Sequence, residues 1–266
     1  MKFHNHVVLI TGASSGIGRR LAIDFAGRGA TVIGCGRAAE RLQRTEEEMR
    51  RANPSCAMIA CDVGDRRQVG EMVAKVVADF GRIDILINNA GIGMRKPFVE
   101  TSVEMVEAIM RTNYFGMVYC THAVLPSMLA RGKGHIVNIS SVAGKMGTPR
   151  MTGYCASKFA VNGFSESLYH ELEPLGICVS VVSPGSVKTD FNKSFADSPP
   201  QSPSLLGITP EAVSRAVITA IEQRTFEVVI PRSVAWICWF KRMTPNLFRS
   251  IAHRVLQRRI AKAKKA

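Results

Sequence analysis

No two of the seven cysteines stand at C-x-x-C spacing, and their number is odd. Cys35, Cys56, Cys61, Cys120, Cys155, Cys178 and Cys238 lie mostly inside apolar runs. This pattern argues against a disulfide framework and predicts buried free thiols in a reducing compartment. His122 and His135 lack metal-ligand spacing, so no metal is expected. No apolar run reaches the ~18 residues that a membrane-spanning helix needs. Met1–His6 passes straight into the apolar run Val7–Ile10. No signal peptide is read there, and a cytoplasmic location is expected. One further absence is local: residues 231–266 contain no Asp or Glu.

What is present fits one large α/β domain of 266 residues, 46% apolar and 21% charged. The net charge of +14 prompts a nucleic-acid or anionic-membrane reading. Its location changes that. Ten Lys or Arg side chains lie in 231–266, which leaves the preceding 230 residues near balance at +4.

Short β-branched runs alternate with helical patterns. Strands are predicted at Val7–Thr11, Ala30–Cys35, Cys56–Ala60, Ile83–Asn88, His135–Ser140, Ile177–Ser183 and Phe226–Ile230. Helices are predicted at Gly16–Arg28, Ala38–Ala52, Arg66–Phe80, Ser102–Tyr119, His122–Ala130, Tyr154–Leu175 and from Thr209 to about Gln223. Such alternation implies βαβ crossovers and a doubly wound, Rossmann-type parallel sheet of about seven strands, covered on both faces. Residues 1–230 form the expected catalytic domain, with a Ser- and Pro-rich substrate loop at about 186–209, and 231–266 form a basic extension.

Thr11-Gly12-Ala13-Ser14-Ser15-Gly16-Ile17-Gly18 joins the first strand to the first helix. Its glycines permit a tight turn, and the helix N-terminus offers N–H groups to a pyrophosphate. The second strand ends at Cys35-Gly36-Arg37. No acid stands there to accept hydrogen bonds from an adenosine ribose, whereas Arg37 is placed to meet a 2′-phosphate. NADP(H) is therefore favoured over NAD(H).

Tyr154 and Lys158 are four residues apart on one helical face. A cation beside a phenol lowers its pKa and lets it exchange a proton with an alcohol or ketone. Ser141 lies thirteen residues earlier, just past a strand that ends at the same sheet edge. Asn88-Asn89-Ala90-Gly91 ends another strand there, and open α/β sheets bind ligands beyond these ends.

With these pieces the chain resembles the short-chain dehydrogenase/reductase family from about Val7 to Ile230. The matching segments are TGASSGIG (Thr11–Gly18), CDV (Cys61–Val63), NNAG (Asn88–Gly91), Asn113 in RTNYFG, ISS (Ile139–Ser141), YCASK (Tyr154–Lys158) and SPG (Ser183–Gly185). The resemblance implies that Tyr154 is the general acid/base and that Lys158 lowers its pKa and holds the nicotinamide ribose. Ser141, rather than Ser140, would polarise the substrate oxygen, and Asn113 would hold a water linked to Lys158. Asp62 would meet the adenine with Val63 beside it. Gly12, Ser14, Ser15, Gly16, Ile17, Gly18, Asn89, Ala90 and Gly91 would contact the cofactor, with Asn88 in support. Pro184, Gly185, Val187 and Thr189 would seat the nicotinamide amide. The family also implies a homodimer or homotetramer.

The expected substrate side chains are Ser141 with Met94, Met146, Met151, Phe191 and Phe195. Their apolar character favours a hydrophobic carbonyl or alcohol, such as a lipid, steroid, retinoid or aromatic ketone. Two other functions compete: a soluble 3-oxoacyl-thioester reductase, and a non-catalytic cofactor-sensing scaffold recruited by its tail. In the tail, both tryptophans (Trp236 and Trp239) precede Thr244-Pro245 and a basic amphipathic pattern. Residues 234–262 suit either a membrane surface or packing against protein, and nucleic acid is disfavoured because no recognised binding module is present.

Overall fold

The computed structural model describes residues 3–189, 191, 207–251 and 253–254. Seven strands form one parallel sheet in the order β3-β2-β1-β4-β5-β6-β7. These are β1 (Val7–Thr11), β2 (Thr31–Gly36), β3 (Ala57–Ala60), β4 (Ile85–Asn88), β5 (Gly134–Ile139), β6 (Ile177–Pro184) and β7 (Glu227–Ile230). Between them run α1 (Gly16–Ala26), α2 (Ala39–Ala52), α3 (Arg66–Phe80), α4 (Val103–Met110), α5 (Gly116–Leu129), α6 (Thr152–Leu172) and α7 (Pro210–Gln223), and α8 (Arg232–Met243) follows β7.

The strands are almost wholly apolar because both sheet faces are covered. Alternation along β1 shows the division. Val8 and Ile10 point into a core shared with Leu21 and Phe25 of α1 and Val213 and Val217 of α7. Val7 and Leu9 point into the opposite core, with Val69, Val73 and Val76 of α3 and Cys120 and Val124 of α5. Strand order reverses at β1, whose neighbours are β2 and β4. A cleft therefore opens at the carboxyl ends of these strands.

Two local features depart from the expected elements. A helix boundary near Cys120–Thr121 is absent: both residues lie buried within α5. The irregularity comes earlier, as a π turn at Arg111–Phe115 containing Asn113. Just after it Gly116 presses so closely on Val63 that a Cβ there would lie 2.8 Å from the Val63 Cγ2. The second departure is the apolar run after Pro231, which is helical and forms α8. Helical backbone resumes at 245–251 after Thr244. All seven cysteines are unpaired, and five are buried.

Candidate active site

The first wall of the cleft is the turn between β1 and α1. Gly12 has φ +66, and a Cβ on it would lie 2.8 Å from the Ala90 Cα. A Cβ on Gly18 would lie 2.2 Å from the Gly12 carbonyl oxygen. The turn can close only without side chains at these two places. Thr11 then joins it to the segment after β4: its Oγ1 accepts from the Asn89 and Ala90 N–H groups, both at 3.0 Å. The Asn89 Nδ2 donates back to the Thr11 carbonyl at 2.9 Å. Ser15, at the N-cap of α1, makes no side-chain cap, and the first turn of the helix holds no acid. The N–H groups and positive dipole end therefore face the cleft without an internal anion to satisfy them.

The cleft has a volume of about 650 Å³. Ser14, Ser15, Gly16, Ile17, Asn89, Ala90 and Gly91 line it, with Pro184, Gly185, Val187 and Thr189 on the far side of the sheet edge. Gly18 does not line it but packs beneath, against Gly12. At one end stand Arg37, Asp62 and Val63. The Arg37 Nη1 lies 3.7 Å from the Asp62 Oδ2, a wide and exposed pair that holds the guanidinium weakly. Asp62 also accepts from the Gly64 N–H at 2.9 Å. Arg41, in the first turn of α2, joins the same rim. Sequence reading missed Arg41, which no residue pattern separates from the other arginines of α2.

At the other end β5 and α6 assemble the polar centre. Tyr154 is 8% exposed and Lys158 is 5% exposed. The Ser141 hydroxyl lines the cleft with the Tyr154 phenol; it donates to the Pro184 carbonyl at 3.4 Å and accepts from the Ala143 N–H at 3.1 Å. Ser140 is turned away: its hydroxyl donates to the Lys158 carbonyl at 3.2 Å. The Lys158 ammonium donates to the Ile139 carbonyl at 2.8 Å and lies 5.9 Å from the Tyr154 ring centre.

Burial moves both groups. It pushes the phenol up to about 12 and pulls the ammonium down to about 8. The lowering of the phenol expected from Lys158 is not found: Ser141 alone opposes the rise, and burial wins because the phenolate would lose its solvation.

Asn113 does not line the cleft and is 2% exposed. Its Oδ1 accepts from the Ile92 N–H at 2.8 Å, and its Nδ2 donates to the Ile92 carbonyl at 2.9 Å and the Ser157 Oγ at 3.0 Å. Both side-chain donors are thus taken inside the protein, where they tie the segment after β4 to α6. Asn88 likewise braces the sheet, donating to the Thr121 Oγ1 and the Asn138 Oδ1.

Of the expected substrate side chains, Met151 and Phe191 line the cleft, with the Phe191 ring 6.0 Å from that of Tyr154. Met94 and Met146 are not among the lining residues. Asn113 clamps Ile92, which takes the wall position in place of Met94. A short 3-10 turn at Val142–Gly144 follows Ser141, and Thr148 lines the cleft beyond it rather than Met146. Phe195 and most of the loop 186–209 lie outside the described residues. Pro231 and Val234, at the start of α8, complete the wall and went unread in the sequence.

The family model described as short chain dehydrogenase matches residues 6–199. Similar curated proteins include Dehydrogenase/reductase SDR family member 7B of Xenopus laevis, 36% identical over 92% of this chain and 80% of that one. The Drosophila melanogaster Dehydrogenase/reductase SDR family protein 7-like is 34% identical over 93% of this chain and 80% of that one. Among solved structures, a short chain dehydrogenase/reductase from Burkholderia phymatum in complex with NAD shares 26% identity and a TM-score of 0.85 over 93% of this chain and 96% of that one. A metagenomic short-chain oxidoreductase in complex with NADP shares 29% identity and a TM-score of 0.74 over 86% and 97%. The chain belongs to the short-chain dehydrogenase/reductase family, and the comparisons make it an oxidoreductase of that family.

Proposed function

We propose that the protein transfers hydride between NADP(H) and a hydrophobic carbonyl or alcohol. One observation carries the reading: Ser141, Tyr154 and Lys158 meet at one end of a single cleft whose other end carries Arg37 and Arg41. A dinucleotide fits on two counts. The uncapped N-terminus of α1 suits a pyrophosphate. Gly36 leaves open the space beside Ser14, whose Oγ lies 3.3 Å from where a Cβ at 36 would sit. A side chain there would occupy the ribose end. Arg37 and Arg41 would hold the 2′-phosphate, and Ser14, Ser15 and Ile17 the pyrophosphate. Asp62 and Val63 would hold the adenine, and Pro184, Gly185, Val187 and Thr189 the nicotinamide end.

When bound, the nicotinamide supplies or accepts the hydride. The protein supplies the rest. Ser141 donates a hydrogen bond to the carbonyl oxygen of the substrate. Tyr154, kept protonated by its burial, delivers the proton as that oxygen gains charge. Lys158 stabilises the phenolate left behind and holds the ribose hydroxyls. Met151 and Phe191 cover the apolar part of the substrate and exclude water. Asn113 acts as a positioning residue, through Ile92 and Ser157. A second copy of the chain would cover the exposed Phe115 of the π turn, Leu129 of α5 and Phe159 of α6.

The test is a panel of hydrophobic ketones with NADPH and with NADH, followed by loss of the reduced-nicotinamide absorbance. Turnover of at least one ketone, faster with NADPH, is expected. No turnover of any ketone by folded, NADPH-binding protein would favour a cofactor-sensing role instead.

A further inference from the structure

Helix α8 has two opposite faces. Val234, 9% exposed, and Pro231 before it close one wall of the cleft. Lys241, two turns on from Val234, keeps that face on the body. Its ammonium donates to the Lys145 carbonyl at 2.6 Å and lies 5.4 Å from the Phe159 ring centre. Lys145 in turn pairs with Glu227 of β7. The other face carries Trp236, Trp239 and Met243 at helical spacing, 71%, 56% and 60% exposed. The indole rings pack edge to face at 6.0 Å. Leu247 and Ile251 are likewise exposed beyond Thr244. Around this apolar surface stand Arg232, Arg242, Arg249 and Arg254, without an acid anywhere in 231–266.

We infer that the Trp236–Trp239–Met243 face docks on an anionic lipid bilayer, and that a bilayer-dissolved substrate enters the cleft alongside α8, whose opposite face forms one of its walls. The delivery step rests on the oxidoreductase reading above; the docking does not. Tryptophans at the depth of the headgroups with arginines beside them match an anionic interface from both sides. The charge also argues against a second copy as occupant. A two-fold pairing would set each basic surface against its own like. No helix among the described residues is long and apolar enough to cross a membrane, so the contact is one of lying on the surface.

Trp236 and Trp239 are the protein's only tryptophans, so intrinsic fluorescence of the full-length chain reports this face without a label. Vesicles of phosphatidylcholine mixed with phosphatidylglycerol should shift the emission to the blue and carry the protein down on sedimentation. Pure phosphatidylcholine should do so much less, and salt should reverse the effect. Trp236→Ser with Trp239→Ser should weaken vesicle partitioning about tenfold or more. Replacing Arg242 or Arg249 by Gln should cost about fivefold each on the anionic vesicles.

Unchanged emission without sedimentation overturns the docking. So does a lipid-free dimer that the double Trp variant dissociates, because a second copy then owns the surface. For delivery, the double variant should keep turnover of a water-soluble ketone and lose turnover of one dissolved in the vesicles. Equal loss on both, or on neither, contradicts the entry route. Intact vesicle binding with neither ketone turned over by the wild-type chain counts against the oxidoreductase reading alone.

Discussion

Tyr154 is held protonated by the burial that brings it to the polar end of the cleft, and Lys158 is eased towards its neutral form by the same cause. Residues away from the chemistry feel this force too. His135 of β5 is 6% exposed, and its Nε2 lies 2.8 Å from the Ser180 Oγ. Burial, aided by Arg224, pulls its pKa down to about 4. Between the ordinary value near 6.5 and that figure, the unfolded chain binds a proton that the folded one refuses. Stability should therefore fall on acidification through that window, by up to about 3 kcal/mol. Denaturant titrations at a series of pH values check this: His135→Gln should flatten the dependence. A slope unchanged in the variant would clear His135 of the effect. At the cofactor end, Arg37→Ala should weaken NADPH binding about tenfold or more while leaving NADH binding nearly unchanged, as read by titration calorimetry. Arg41→Ala should act in the same sense. Arg37 could be read from its place after β2. Arg41 was hidden because a charged α2 offers many arginines and only the fold shows which one turns towards the rim.

The elements carry their own signatures. Gly18 and Gly163 both lie in helices, yet alanine should act oppositely at the two. At Gly18 the new Cβ meets the Gly12 carbonyl and the Asn89 amide, so the turn must open. A loss of about 1–3 kcal/mol, with weaker dinucleotide binding, is expected. At Gly163, on the exposed side of α6, a Cβ meets nothing within 4 Å. Alanine there should raise stability by about 0.5–1 kcal/mol through helix propensity. Thermal melts of both variants decide the matter. The strands and most helices were legible because β-branched runs and 3.6-residue patterns are local. The π turn around Asn113 was not. It is set by packing on Ile92, Ser157 and Val63, which are distant in sequence. The same clamp displaces Met94 from the wall, a consequence no residue pattern announces.

On the scale of the whole molecule, a nearly balanced body joins a strongly basic extension at the wall of its own cleft. The polar set of Ser141, Tyr154 and Lys158 was legible because its spacing maps directly onto the end of β5 and the start of α6. The part played by Pro231 and Val234 was not, because residues after β7 come back to the cleft only through the fold. The central claim is that this cleft performs hydride transfer with Tyr154 as proton donor. Its most direct test is turnover of the best hydrophobic ketone with NADPH by wild-type protein and by Tyr154→Phe, with NADPH affinity and thermal stability measured in parallel. The account predicts a loss of kcat of about 10²–10⁴-fold with folding and NADPH binding essentially retained. Near-normal turnover by the folded variant would contradict it.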